Sequence, residues 1–103
     1  MPCIALPIAP SHAAFAGHFP GRPIAPGVLL LDTAVLALEA ATGCVMKGLA
    51  SAKFLSPALP GEALLLDYAI DAAALRFEIR CGDRKVAAGR FVMDPVVSLH
   101  ERP

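Results

Sequence analysis

The sequence predicts an α+β fold in which a curved antiparallel sheet wraps one long central helix. Three observations lead there. Residues 27–41 form a largely apolar run rich in leucine and alanine, closed by Gly43. Beyond Gly43 the pattern changes to strand-like runs separated by proline- and glycine-bearing turns. The chain has 103 residues, the length of one domain, so 1–103 reads as a single unit.

The elements follow in order. Residues 3–8 suit a first strand, confined to an edge by Pro2 and Pro7. Residues 9–26 carry four prolines and two glycines and read as a long loop, of the kind that usually serves function. Leu29, Leu30, Leu31, Leu36, Leu38 and Glu39 favour helix, and Gly43 stops it. Its apolar residues run all the way round, which predicts burial on most sides. Strands are expected over residues 45–54, 63–70, 75–81 and 86–93, with Leu75-Arg76-Phe77-Glu78-Ile79-Arg80 alternating as a half-exposed strand does. Pro60-Gly61-Glu62 and Cys81-Gly82-Asp83 mark turns of an antiparallel meander. From Pro95 onward no pattern is visible, and the end is expected to fray.

Composition narrows the function classes. At 56% hydrophobic and 17% charged, the chain has more apolar surface than so small a domain can hide, which predicts a homo-oligomer. Nine basic and nine acidic residues cancel, with no long basic run, so nucleic-acid binding is not expected. Cys3, Cys44 and Cys81 are an odd number without Cys-x-x-Cys spacing, which speaks against a disulfide framework or a zinc site. Residues 28–41 are interrupted by Asp32 and Glu39 and are too short to span a bilayer. With no leader pattern after Met1, the expectation is a reduced, cytoplasmic protein.

The chemistry concentrates around one helix start. A histidine side chain can accept and return a proton near neutral pH, and His18 sits in a loop stiffened by Pro20, Pro23 and Pro26, a rigidity that a solvated surface histidine does not need. Asp32 lies in an apolar helical run, slightly too deep for a cap, so it is expected to face a polar partner or a cavity. Gly27 and Val28 open the helix, and their N–H groups could hold a carbonyl oxygen gaining negative charge. Glu39 shares a stripe with Asp32 and reads as a solvated or interface residue. His12 and His100 lack comparable context, and neither metal ligation nor a cofactor is expected. No Gly-x-Ser-x-Gly elbow or phosphate-binding glycine loop occurs.

The run Gly17-His18-Phe19-Pro20-Gly21-Arg22-Pro23-Ile24-Ala25-Pro26-Gly27-Val28-Leu29 resembles the signature of the bacterial β-hydroxyacyl-ACP dehydratases, which have the hotdog fold. A second block, Ala52-Lys53-Phe54-Leu55-Ser56-Pro57-Ala58-Leu59-Pro60-Gly61-Glu62, is similar to a second segment of that family. The resemblance implies that His18 and Asp32 are the catalytic pair, drawn from different subunits of at least a dimer. It implies that Gly27 helps hold the thioester oxygen, and that Val28, Phe19, Pro26 and Leu36 belong to the substrate-binding set. It implies no cofactor, and an acyl carrier protein as the partner that presents the substrate. The implied reaction removes the C2 proton and expels the C3 hydroxyl as water.

Two departures from the family pattern stand out. Leu36 occupies a position where the family often has glutamine, and Leu55 and Ser56 replace basic residues that commonly follow the Lys-Phe pair. They leave Arg22, Lys47, Lys53, Arg84, Lys85 and Arg90 as candidates for a carrier dock, and they admit a specialised dehydratase of a polyketide-like or aryl-polyene pathway beside a fatty-acid one. The alternatives are a hotdog acyl thioesterase and a non-catalytic acyl-binding subunit. A hydratase of CoA esters typically places an aspartate five residues before its histidine, where this chain has Ala13.

Overall fold

The computed structural model describes residues 2–8 and 27–93. The 9–26 loop and the tail from Pro95, with the expectations attached to them, lie outside the described residues. The described elements are β1 (Cys3–Leu6), α1 (Gly27–Thr42), β2 (Met46–Phe54), β3 (Leu64–Asp71), β4 (Ala74–Cys81) and β5 (Arg84–Met93). The strands form one five-stranded sheet in the order β1-β3-β4-β5-β2, every neighbouring pair antiparallel.

Local chemistry explains the boundaries. Gly43 ends α1 at a φ of 74°, and its N–H donates to the Glu39 carbonyl at 2.9 Å, the left-handed cap that glycine adopts at least cost. Before β3, the Glu62 N–H donates to the Leu59 carbonyl at 3.2 Å. Pro60 and Gly61 fill the centre of that turn, with φ at Gly61 of 84°, the proline-then-glycine order a type II turn demands. The β4–β5 hairpin turns at Gly82, again at positive φ. The β3–β4 hairpin has no such residue: Asp71 pairs with Ala74 around Ala72 and Ala73, and Ala72 is held at a φ of 56°. An alanine there is strained, and nothing in its sequence marks it as a turn.

One face of the sheet packs on α1. Leu66, Leu75, Phe77, Ile79, Val86, Ala87, Phe91 and Met93 are buried against a single helix stripe, Leu30, Ala34 and Leu38. Period-2 alternation in the strands and i, i+4 spacing in the helix account for this core. Phe77 and Phe91, cross-sheet neighbours, stack with ring centroids 4.8 Å apart.

The helix departs from expectation on its other side. Val28 and Leu36 are each 70% exposed, and Asp32 between them is exposed as well. These three stand on a stripe roughly 200° round from the buried one at 3.6 residues per turn. Among the described residues the helix is therefore covered on one side only, because a single five-stranded sheet offers it one apolar face.

Candidate active site

Asp32 sits in the second turn of α1, about 7.5 Å along the axis from Gly27 at 1.5 Å per residue. It borders an open cavity of about 270 Å³ between α1 and the β2–β5 edge, lined also by Leu31, Val35, Met46, Lys47, Gly48, Leu49 and Phe91. The cavity wall is apolar apart from Asp32 and Lys47. The exposed carboxyl keeps its water within the single chain, so the apolar run around it in sequence does not entomb it.

Gly27 opens the helix, and the N–H groups of Gly27 and Val28 have no partner within it. A methyl group at Gly27 would stand 2.7 Å from the Phe54 Cζ and 2.9 Å from one ring Cε. The last residue of β2 therefore lies directly against the helix start, in the space a side chain at residue 27 would take. Sequence reasoning placed Phe54 in a motif without assigning it this contact. The spacing of Lys53-Phe54 from the glycine-proline run was the signal available.

The other residues expected at the site fall into two groups. Val28, Asp32 and Leu36 share the exposed stripe of α1, with Leu36 one turn beyond Asp32. His18, Phe19 and Pro26 lie outside the described residues. Glu39, expected to be solvated or interfacial, instead is partly buried and accepts a hydrogen bond from the Met46 N–H at 2.9 Å. It ties the end of α1 to the start of β2, because the short 43–45 connection brings that N–H back over the last helical turn.

Among the described residues, no group of three or more His, Cys, Asp or Glu side chains could hold a metal ion. Cys3, Cys44 and Cys81 carry free thiols. No helix among the described residues is long and apolar enough to cross a membrane.

Residues 2–90 match the model of the ApeI-like family, described as ApeI dehydratase. The chain belongs to the ApeI-like dehydratase family. This ApeI-like chain is 34% identical over 91 residues to a 3-hydroxyacyl-acyl-carrier-protein dehydratase FabZ of Fusobacterium nucleatum, covering 82% of the chain and 60% of that protein. It is 40% identical over 83 residues to FabZ of Acetivibrio thermocellus, covering 72% and 54% respectively. The chain thus spans little more than half the length of these curated relatives.

Among solved structures, the ApeI:P dehydratase heterocomplex of Xenorhabdus doucetiae superposes with a TM-score of 0.73 at 30% identity, over 88% of this chain and 84% of that one. An uncharacterised protein of Erwinia carotovora subsp. atroseptica gives 0.69 at 28%, over 92% and 82%. The fluoroacetyl-CoA thioesterase FlK shares the fold alone, at 12% identity and a TM-score of 0.63, over 97% and 93%. The ApeI-like chain therefore has the hotdog architecture, an antiparallel sheet of five strands with one helix.

Proposed function

We propose that this chain is a 3-hydroxyacyl-acyl-carrier-protein dehydratase that works in the cytoplasm as a homodimer. The observation that carries the reading is the placement of Asp32. It stands on the open face of α1, near the amide-bearing start of that helix and beside an apolar cavity. A thioester carbonyl at the Gly27 and Val28 amides would have its negative charge stabilised as it develops. His18 takes the C2 proton, electrons move toward the carbonyl, the C3–O bond breaks, and the hydroxyl leaves as water by taking a proton from the Asp32 carboxyl group. The acyl chain lies against Val35, Leu49 and Phe91.

The assembly follows from what one chain leaves uncovered. Among the described residues β2 pairs with β5 on one side only, which leaves its other edge open, and most of its residues are exposed. Leu49, Phe54 and Leu55 on or beside it, and Val28 and Leu36 on the helix, are large apolar groups between 46% and 70% exposed. A second copy paired along β2 would satisfy the open edge and shield the helix stripe. In that arrangement the His18 of one protomer serves the Asp32 of the other.

The match to the ApeI-like model and the aliphatic Leu36 support a specialised branch, in polyketide- or aryl-polyene-like synthesis, over a housekeeping fatty-acid enzyme.

Hydration of 2-enoyl thioesters, followed by loss of enoyl absorbance, tests the proposal. Wild type is expected to turn over, and His18→Ala and Asp32→Asn to lose at least about a hundredfold each. Release of free thiol in place of hydration would mark a thioesterase. Tight binding without turnover would mark an acyl-binding subunit.

A further inference from the structure

On the sheet face turned away from α1, three cations line one depression, and Glu78, opposite Ala88, borders it from β4. Arg76 on β4 and Arg90 on β5 are directly opposed in the antiparallel register, and Ser51 on β2 is the next residue in the same row. Lys53 stands two residues further along β2, opposite Ala88. Leu75 and Phe77 are buried, so Arg76 between them points outward. Ser51, Lys53, Arg76 and Arg90 line one open depression of about 350 Å³ whose floor is Ala88 and Gly89.

Like charges directly opposed across a strand pair are unfavourable, and the nearby acids do not relieve them. Asp67 is held by Arg80 at 2.7 Å, Glu62 by Arg84 at 2.6 Å, and Glu78 by Lys85 at 3.6 Å. Asp71, further along β3, makes no ion pair with the cluster among the described residues. Of the candidate dock residues, Arg84 and Lys85 are thus engaged elsewhere, and Lys53 and Arg90 converge with Arg76, which the sequence did not single out.

We propose that this depression binds a phosphate group. Strand spacing puts the backbones of the opposed arginines about 5 Å apart, and two planar guanidinium forks, one ammonium and one hydroxyl border one open depression with room for a multi-oxygen anion. Guanidinium forks match phosphate oxygens in pairs, and Ser51 adds a neutral donor. The compactness of the cluster favours one such anion over the dispersed carboxylates of an acidic protein surface. The inference stands on this geometry and does not require the dehydratase reading.

The test titrates the full chain with inorganic phosphate and pyrophosphate at constant ionic strength, with chloride as the balancing anion. Amide NMR shifts at Ser51, Lys53, Arg76 and Arg90, and a melting temperature raised by pyrophosphate over chloride, are expected. Arg76→Ser combined with Arg90→Ser should weaken pyrophosphate binding at least about tenfold, with Arg84→Ser unchanged. The wild-type titration stands even if the double variant fails to fold. Two further probes distinguish the source of the phosphate: 4′-phosphopantetheine for a prosthetic arm, and adenosine 3′,5′-bisphosphate for a nucleotide. A stronger response to either supports the site and names the source of its phosphate, and an equal response to both supports a site for the phosphate group itself. No response to any phosphate, or an equal response to a polyglutamate peptide, would overturn it.

Discussion

The ring of Phe54 fills the space that a side chain at Gly27 would need, with its Cζ 2.7 Å from where a Cβ would stand. Two motifs separated by more than twenty residues are thereby joined at the helix start. The obstacle is the far end of a half-exposed ring, which can swing away. Gly27→Ala is therefore expected to change stability by less than about 1 kcal/mol, measured by urea denaturation. Its effect on enoyl-thioester turnover should be larger, a loss of about ten- to a hundredfold, because the ring and the helix start shift together.

Gly89 provides the contrast. A Cβ there would run into the backbone carbonyl oxygen of Ser51 and stand 2.8 Å from the buried Phe77 Cζ. Backbone in a paired strand cannot move aside without breaking the β2–β5 ladder. Gly89→Ala should cost about 1–3 kcal/mol, and the same denaturation series decides it.

Glu39 and Ala72 test two local features. Glu39→Ala leaves the Met46 N–H without its carboxylate acceptor and should cost about 1–2 kcal/mol, whereas Glu39→Gln, which keeps a carbonyl oxygen, should cost less. Ala72→Gly relieves a positive φ of 56° and should stabilise by about 0.5–1 kcal/mol. An unchanged unfolding midpoint in either series would show that the contact or the strain carries no weight.

Acid should weaken the fold through two carboxylates. The hydrogen bond from the Leu59 N–H, aided by Arg84, lowers the Glu62 pKa below its ordinary 4.5, and Arg80 lowers that of Asp67 below 3.8. A carboxylate depressed in the folded state contributes stability that is fully present above its unfolded value and is lost as pH falls toward the folded value. The wild-type denaturation midpoint should therefore decline below about pH 4.5, and Glu62→Gln with Asp67→Asn should flatten that decline. Equal slopes for both proteins would contradict the assignment.

Assembly is tested at Leu36 and Leu49, which are 70% and 46% exposed in the single chain. Leu36→Glu or Leu49→Lys should shift the light-scattering mass toward a monomer and weaken association at least about tenfold if the partner covers them. A wild-type protein that is monomeric at high concentration would remove the basis for a site shared between two copies.

The elements and their order were legible in the sequence because each is written locally. Leucine and alanine to Gly43 set α1, alternation set β4, and Pro60-Gly61 and Gly82 set their turns. The Ala72–Ala73 turn falls in the gap left between the strand runs 63–70 and 75–81, but no glycine marks its positive φ, since the strain it holds is imposed by the pairing of β3 with β4. Asp32 was identifiable by type and position, but its placement on the open side of the helix was not. Hydropathy round the helix indicates apolar surface without saying which part meets this sheet and which is left over.

Likewise Glu39 reads in sequence as a solvated or interface residue, and only the return of β2 brings the Met46 N–H to it. The gathering of Lys53, Arg76 and Arg90 is a consequence of strand order and register, which place residues from three strands side by side. The sequence by itself determined the fold class, the helix, the strands and the residue types available for chemistry, because periodicity and turn chemistry act over short range. Only the tertiary structure decided which of those residues face one another, because long-range register and one-sided helix packing join positions that no local pattern connects.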